Sequence, residues 1–242
     1  MKKYIKLILT LSILLNILCI ILGSYEVYKK GGIGWISLKA SSIINSKDYK
    51  QQPDYYFIKK SIYTDLNTNN KAIVFIGDSI TDNFEWSEYF KNYNIQNRGI
   101  SGDTVSGILD RIKSISNENP KSIFIMAGIN DFRNGATSEY VYDKYINIIK
   151  IIQEDSPNTN IYIQSTLPVN IKMANHYYDI KEITELNLKL SKLNSEKIKY
   201  FDIYTLLKTS DGQLNAKYTY DGVHLNTLGY SIWTKAISDY VN

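Results

Sequence analysis

From Lys71 onward the sequence alternates short apolar runs with longer segments whose apolar residues recur every three or four positions. The apolar runs predict β-strands, the longer segments predict amphipathic helices, and their alternation is typical of parallel strands joined by helical crossovers. The predicted strands are 72–76, 93–97, 122–127, 160–165 and 199–203, and the predicted helices are 104–117, 138–154, 179–196 and 227–241. We therefore expect a three-layer α/β/α sandwich with a five-stranded, mainly parallel sheet.

A run of about 20 mainly apolar residues, 4–23, lies near the N-terminus and is long enough to span a bilayer as a helix. A cleaved signal peptide and a buried core helix are the alternatives. However, no small-residue cleavage pattern closes the run, and large residues surround Cys19 where a lipoprotein signal has small ones. Lysines on both flanks only weakly favour a cytoplasmic N-terminus. We expect an uncleaved membrane anchor with an extracytoplasmic catalytic domain; the alternative is secretion after cleavage.

The chain is predicted to have three parts: the anchor with its flanks (1–30), a spacer with a packing helix (31–70), and one catalytic domain (71–242). The spacer contains a glycine-rich stretch at 31–34, an amphipathic stretch at 35–44 and a helical pattern at 54–66.

Charge and cysteine content exclude two classes of function. Five of the 28 basic residues and one of the 24 acidic residues fall in the first thirty positions, so the remainder is neutral. A neutral domain lacks the basic surface that nucleic-acid binding requires. Because Cys19 is the single cysteine, the domain beyond it has no internal disulfide and no cysteine-based metal site.

The first candidate for chemistry is Gly77-Asp78-Ser79-Ile80, which follows a predicted strand directly. Ser79 would lie at a strand-to-helix turn, where the free amides of a helix N-terminus can stabilise an oxyanion. The alternative is an ordinary turn, since serine is also a favoured helix cap. The segment lacks the G-x-S-x-G pattern of another large hydrolase class.

A serine nucleophile needs a base, and Asp221-Gly-Val-His224 precedes the last predicted helix. His224 can take the Ser79 proton while Asp221 orients the imidazole. The alternative is a helix-capping loop with a hydrogen-bonded histidine. The other histidine, His176, has no matching acid and is interpreted as a surface or substrate-proximal residue.

Two further segments offer hydrogen-bond donors for an oxyanion. Segment 128–131 follows the third predicted strand and contains Asn130, whose side-chain amide can donate. Segment 98–104 enters a helix and contains Gly102, whose backbone N–H can approach a ligand because no side chain intervenes. Each segment taken alone is equally typical of a turn.

Together, the four segments resemble the four blocks of the SGNH/GDSL hydrolase family, from about residue 71 to the C-terminus. The matching residues are Gly77-Asp78-Ser79, Gly102, Asn130 and Asp221-x-x-His224. Two positions depart from the family pattern. Ile80 stands where the family name has leucine, and Ile129 separates Gly128 from Asn130, but neither change removes a functional group.

The resemblance implies a flavodoxin-like SGNH fold and a catalytic triad of Ser79, Asp221 and His224. It also implies an oxyanion hole made by the Ser79 amide, the Gly102 amide and the Asn130 side chain. It implies no metal and no cofactor.

The resemblance indicates the reaction class more closely than it indicates the substrate. Family members cleave carboxylic esters, and the expected external location favours short acyl groups, especially O-acetyl groups on extracellular or cell-wall glycans. Lipid esters are the alternative substrate, because an anchor also keeps an enzyme beside phospholipid. Transfer of the acyl group to a sugar hydroxyl and a non-catalytic binding module are the other hypotheses. The expected partners are an ester substrate and the membrane, with no nucleic acid; the sequence identifies no protein partner.

Overall fold

The computed structural model describes residues 2–29, 53–66 and 69–241. The chain divides into two units, residues 1–48 and 49–242. In the first unit, helix α1 spans Lys2–Lys29. Its segment Ile8–Tyr25 is apolar and exposed, so by length and composition this helix could cross a membrane. A signal sequence would meet the same criterion. The predicted spacer stretches 31–34 and 35–44 lie outside the described residues.

The second unit is built on five strands, all parallel to their neighbours, in the order β2-β1-β3-β4-β5. They are β1 (Ile73–Gly77), β2 (Ile95–Gly99), β3 (Ser122–Met126), β4 (Asn160–Gln164) and β5 (Ile198–Phe201). Gly77 pairs with both Gly99 and Met126, so the carboxyl ends of the first three strands lie at one edge of the sheet. The predicted parallel α/β fold is confirmed.

Helices cover both faces of this sheet. They are α2 (Pro53–Asp65), α3 (Ser79–Asp82), α4 (Trp86–Phe90), α5 (Val105–Arg111), α6 (Lys113–Ser116), α7 (Ile129–Arg133), α8 (Ser138–Asp155), α9 (Ile180–Leu190), α10 (Ile203–Leu207) and α11 (Thr227–Ile237). One layer is centred on α8, which contacts α5, α6 and α9, whereas α10 packs with α11. Every residue of β1 and β3 is buried, as expected for central strands covered on both faces.

Aromatic side chains hold α11 against the sheet. Phe75 of β1 stacks on Phe124 of β3 and on Trp86, with ring centroids 4.5 and 4.2 Å apart. Trp86 meets Trp233 of α11 edge to face at 4.7 Å. The indole N–H of Trp233 donates to the Gln164 side chain at 2.6 Å, so burial leaves this polar group paired. The stack thereby fixes the C-terminal helix next to β1.

Some element boundaries differ from the predicted ones. The helix predicted over 179–196 ends at Leu190, because the hydroxyl of Ser191 donates to the Leu188 carbonyl and the Asn194 amide donates to the Ser191 carbonyl. The segment predicted as one helix over 104–117 consists of α5 and α6, and the strand predicted at 93–97 lies at 95–99. The pattern at 54–66 forms α2, as expected.

Candidate active site

Ser79 is the first residue of α3, immediately beyond the carboxyl end of β1. Asp78 caps this helix by accepting a hydrogen bond from the Ile80 N–H at 2.9 Å. A Cβ at Gly77 would lie 2.2 Å from the Thr81 hydroxyl and 2.5 Å from the Met126 carbonyl, so only glycine fits there. The tight turn therefore presents Ser79 at the edge of the sheet.

The Ser79 hydroxyl lies 2.8 Å from Nε2 of His224, and Nδ1 of His224 lies 2.6 Å from Oδ2 of Asp221. Burial opposes ionisation of Asp221, but hydrogen bonds from the His224 ring and from the backbone N–H groups of Val223 and His224 hold its pKa below the ordinary value. An ionised carboxylate only accepts hydrogen bonds, so Nδ1 carries the imidazole proton and Nε2 is free to accept from Ser79.

The loop that carries Asp221 and His224 is held from two directions. Thr219 accepts from the Gly222 N–H at 2.9 Å and donates to the His224 carbonyl at 2.7 Å. Gly222 has φ +89°, and a Cβ there would lie 2.7 Å from the Asn170 carbonyl. Glycine is thus required both by the backbone conformation and by the close approach of a neighbouring loop.

Gly102 and Asn130 line the same cavity as Ser79. Asn130 is buried, and its side-chain amide donates one hydrogen bond to the Asp103 carbonyl at 2.9 Å. That bond connects α7 with the loop that holds Gly102, and it orients the amide group. The two donors predicted from sequence are therefore brought beside the serine.

A buried ion pair lies behind these donors. Arg111 of α5 contacts the Asp103 carboxylate through Nε and Nη2, both at 2.9 Å, and both side chains are almost fully buried. Nη2 also donates to the Gly77 carbonyl at 3.2 Å. Arg111 thus ties the residue that follows Gly102 to the turn that precedes Ser79.

Helix α2 supports the outer side of the same loop. The Tyr55 hydroxyl donates to Oδ2 of Asp82 at 2.7 Å, and the backbone N–H and hydroxyl of Ser101 donate to that oxygen at 3.1 and 2.8 Å. The Tyr63 hydroxyl donates to the Gly99 carbonyl at 3.3 Å. The packing helix therefore contacts Asp82 and the end of β2, and Asp82 in turn holds Ser101 in the loop that carries Gly102.

A cavity of about 190 Å³ opens at this place, and the five predicted site residues Ser79, Gly102, Asn130, Asp221 and His224 all line it. Its wall also contains Arg133, Asn175, His176 and Tyr178. His176, interpreted from sequence as surface or substrate-proximal, is thus part of the cavity. Burial, together with the positive charge of Arg133, lowers its pKa.

Sequence reasoning missed Arg133, because its place in the cavity depends on a short helix that was not predicted. Arg133 lies three residues after Asn130, and residues three apart on a helix share a face. No helix is predicted from the sequence over these residues, and the structure shows one at Ile129–Arg133.

Asp78 combines a capping role with an unusual electrostatic environment. Oδ1 accepts from the Ile80 N–H, whereas Oδ2 is one of the few buried side-chain atoms without a hydrogen-bond partner among the residues that the structure describes. Burial raises the pKa of Asp78 to about 7; the Ile80 N–H opposes the shift, and the nearby carboxylates of Asp103 and Asp131 add to it. In the folded state the protonated carboxyl is therefore favoured below about pH 7.

This raised pKa predicts that stability falls as the pH rises from about 4 to 7, because the folded state holds a proton that the unfolded chain has already released. Asp78→Asn keeps an acceptor for the Ile80 N–H and cannot ionise. We expect the variant to flatten the decrease of Tm across this window by about 5 °C, measured by thermal unfolding at several pH values. A decrease as steep as in the wild type would contradict the assignment.

A comparison with models of known protein families identifies the family of the chain. The model of the GDSL-like lipase/acylhydrolase family matches residues 75–232. The chain belongs to this family. As a GDSL-like acylhydrolase it is an ester-bond hydrolase, and the family prediction made from the four sequence segments is confirmed.

Individual proteins resemble most of the chain. The α2 subunit of platelet-activating factor acetylhydrolase IB from Rattus norvegicus is 27% identical over 183 residues, which cover 73% of this chain and 79% of the relative. A solved structure from Streptococcus pneumoniae has a TM-score of 0.70 at 25% identity and covers 84% of this chain and 98% of its own. A GDSL-like lipase from Bacteroides thetaiotaomicron has a TM-score of 0.65 at 25% identity, covering 77% and 96%.

Proposed function

We propose that this acylhydrolase is a serine esterase in which Ser79 is the nucleophile, His224 the general base and Asp221 the residue that orients the base. The observation that carries the proposal is the unbroken hydrogen-bond chain from the Ser79 hydroxyl through His224 to Asp221 at the wall of a cavity. Hydrogen-bond contact between nucleophile and base, with the base held by a third group, is the arrangement that activates a serine.

In the first half of the reaction, the Ser79 oxygen attacks the ester carbonyl and its proton passes to Nε2 of His224. Ionised Asp221 stabilises the imidazolium that forms. His224 then returns the proton to the leaving alcohol, and the acyl group remains on Ser79. In the second half, a water molecule gives its proton to His224 and attacks the acyl-serine, which releases the acid and restores the hydroxyl.

Negative charge develops on the carbonyl oxygen in both halves. The proposed donors are the Ser79 N–H at the start of α3, the Gly102 N–H and the second N–H of the Asn130 amide, whose first N–H is engaged by the Asp103 carbonyl. Donors that are fixed before the reaction stabilise the transition state without reorganising, and one such donor contributes about 10²–10³-fold to turnover.

The proposed substrate is an O-acetyl ester on an extracellular or cell-wall glycan. Three observations favour such a short acyl group. The cavity of about 190 Å³ is small beside the roughly 300–1,000 Å³ of sites that enclose drug-sized ligands. Its wall carries polar side chains, including Asn175 and His176. The relative from Rattus norvegicus is named an acetylhydrolase.

The proposed location is the outer face of a membrane, with α1 as the anchor. The exposed apolar surface of α1 supports an anchor and also favours the second candidate substrate, a lipid ester presented by the same membrane.

Chain-length selectivity separates these two substrates. The full chain in detergent would be assayed with p-nitrophenyl esters from acetate to palmitate and with acetylated glycans, and released acid would be quantified. We expect kcat/KM to fall at least about 10-fold from acetate to octanoate, because the cavity is too small for a longer acyl chain. Each further methylene group then adds little binding free energy. A steep preference for long chains would overturn the glycan proposal in favour of lipid esters. Recovery of the acyl group on an added sugar, in place of free acid, would indicate transfer.

A further inference from the structure

A positively charged side chain stands beside the proposed oxyanion donor. Asn130 and Arg133 lie three residues apart on α7, so both side chains project from one face of the helix, with Cβ atoms about 5–6 Å apart. Both line the cavity that contains Ser79. Arg133 is half-buried, so the surrounding wall reduces the solvent screening of its charge.

The Arg133 charge acts on two groups near the proposed nucleophile. Burial and then the Arg133 charge lower the pKa of His176, which keeps that imidazole neutral at pH 7. The Arg133 charge also acts on buried Asp78, directly before Ser79. A neutral His176 and the Asn175 amide add hydrogen-bond donors to the wall near Arg133.

The negative charge in the cavity wall is already engaged. Asp221 accepts hydrogen bonds from the His224 ring and from two backbone N–H groups, and the reaction requires it to stabilise the imidazolium. A negatively charged ester could therefore bind Arg133 without competition from the Asp221 carboxylate.

We propose that this site selects esters whose alcohol part carries an anionic group, a carboxylate or a phosphate, and that Arg133 is the counterion which determines this specificity. The inference rests on the proposed function, since it concerns the substrate of the same site. A guanidinium stays charged and presents a planar pair of donors that matches either anion. An acetyl group is uncharged, so the anion belongs to the alcohol.

Matched substrates test the proposal in the full chain. An O-acetylated methyl hexoside, its uronic acid counterpart and its 6-phosphate, all acetylated at the same hydroxyl, differ only in charge. We expect the wild type to have a kcat/KM about 10–100-fold higher for at least one anionic ester than for the neutral one. The preferred anion distinguishes a carboxylate source from a phosphate source.

Variants of Arg133 test whether this residue causes the preference for anionic esters. In Arg133→Gln the ratio of anionic to neutral kcat/KM is expected to fall close to one, and Arg133→Lys should retain part of it. Lys150→Gln removes one positive charge from the exposed face of α8, outside the cavity, and should keep the wild-type ratio. Thermal unfolding of each variant shows that the fold is retained.

Competition supplies the second readout. Inhibition of p-nitrophenyl acetate hydrolysis would be measured with the unacetylated uronide, the 6-phosphate and the neutral hexoside. This assay does not require knowing which hydroxyl of the natural substrate is acetylated. Stronger inhibition by an anionic sugar, lost in Arg133→Gln, supports the proposal. Equal inhibition by charged and neutral sugars, or a preference that survives Arg133→Gln, overturns it. By contrast, p-nitrophenyl acetate turnover that persists in Ser79→Ala would overturn the proposed function itself.

Discussion

Replacing Ser79 with alanine is expected to lower kcat for p-nitrophenyl acetate by at least about 10⁴-fold, because the variant lacks the oxygen that forms the acyl-enzyme. The substitution removes one atom from a half-buried position, so the fold and Tm should be unchanged. Ser87→Ala is the matched control: the Ser87 hydroxyl bonds to exposed Glu88 on α4, outside the cavity, and its loss should leave kcat unaltered.

The same variant tests whether Ser79 and His224 act as a unit. If the histidine works only by activating the serine, the double variant Ser79→Ala/His224→Ala should lose no more activity than Ser79→Ala alone. A serine-directed phosphonate should modify the wild type at Ser79 and leave Ser79→Ala unlabelled, as measured by mass spectrometry of peptides. Labelling at another serine, or kcat within 10-fold of wild type, would contradict the assignment.

Arg111→Met is expected to lower the free energy of unfolding by about 3–5 kcal/mol, since it leaves the Asp103 carboxylate buried without its partner. Asp103 is 1% exposed and Arg111 3% exposed, so water cannot replace the lost contact. The hydrogen bond to the Gly77 carbonyl disappears as well, and the loop that holds Gly102 loses its tie to the turn before Ser79. We therefore expect a lower kcat in addition.

Urea unfolding, followed through the buried indoles of Trp86 and Trp233, measures this loss. Lys150→Met serves as the control, because its ion pair with Glu154 is exposed on α8 and contributes less than about 0.5 kcal/mol. A change below about 1 kcal/mol for Arg111→Met would show that the buried pair does not hold this part of the fold together.

The sequence predicted the centre of the sheet better than its edges. The run 72–76 is almost wholly apolar because β1 is covered on both faces, and its boundaries differ from the observed strand by a single residue. β2 is an edge strand that contains Gln96, Asn97 and Arg98, so its apolar signal is weak and the prediction was displaced by two residues.

Three of the four segments of the candidate site could be predicted because they follow strands, and the carboxyl ends of parallel strands meet at one edge. The fourth segment, with Asp221 and His224, precedes the last helix and was predicted from the need of a serine for a base. The contacts behind the site could not be predicted from the sequence. Asp103 and Arg111 lie eight residues apart, and their pairing depends on how α5 is buried against the turn at Gly77. The contact of Tyr55 with Asp82 depends on where the preceding chain places α2, which no local pattern specifies.

The hydrogen bond between Ser79 and His224 joins residues 145 positions apart in the chain. A ribosome therefore completes the strand that presents the serine long before it reaches the histidine, and α11 must still dock on the aromatic stack before the two side chains meet. Under the proposed mechanism, the hydroxyl is until then an ordinary alcohol with negligible reactivity toward esters. Under that mechanism, ester hydrolysis therefore reports only molecules that were translated past residue 224 and completely folded, so turnover also measures complete folding.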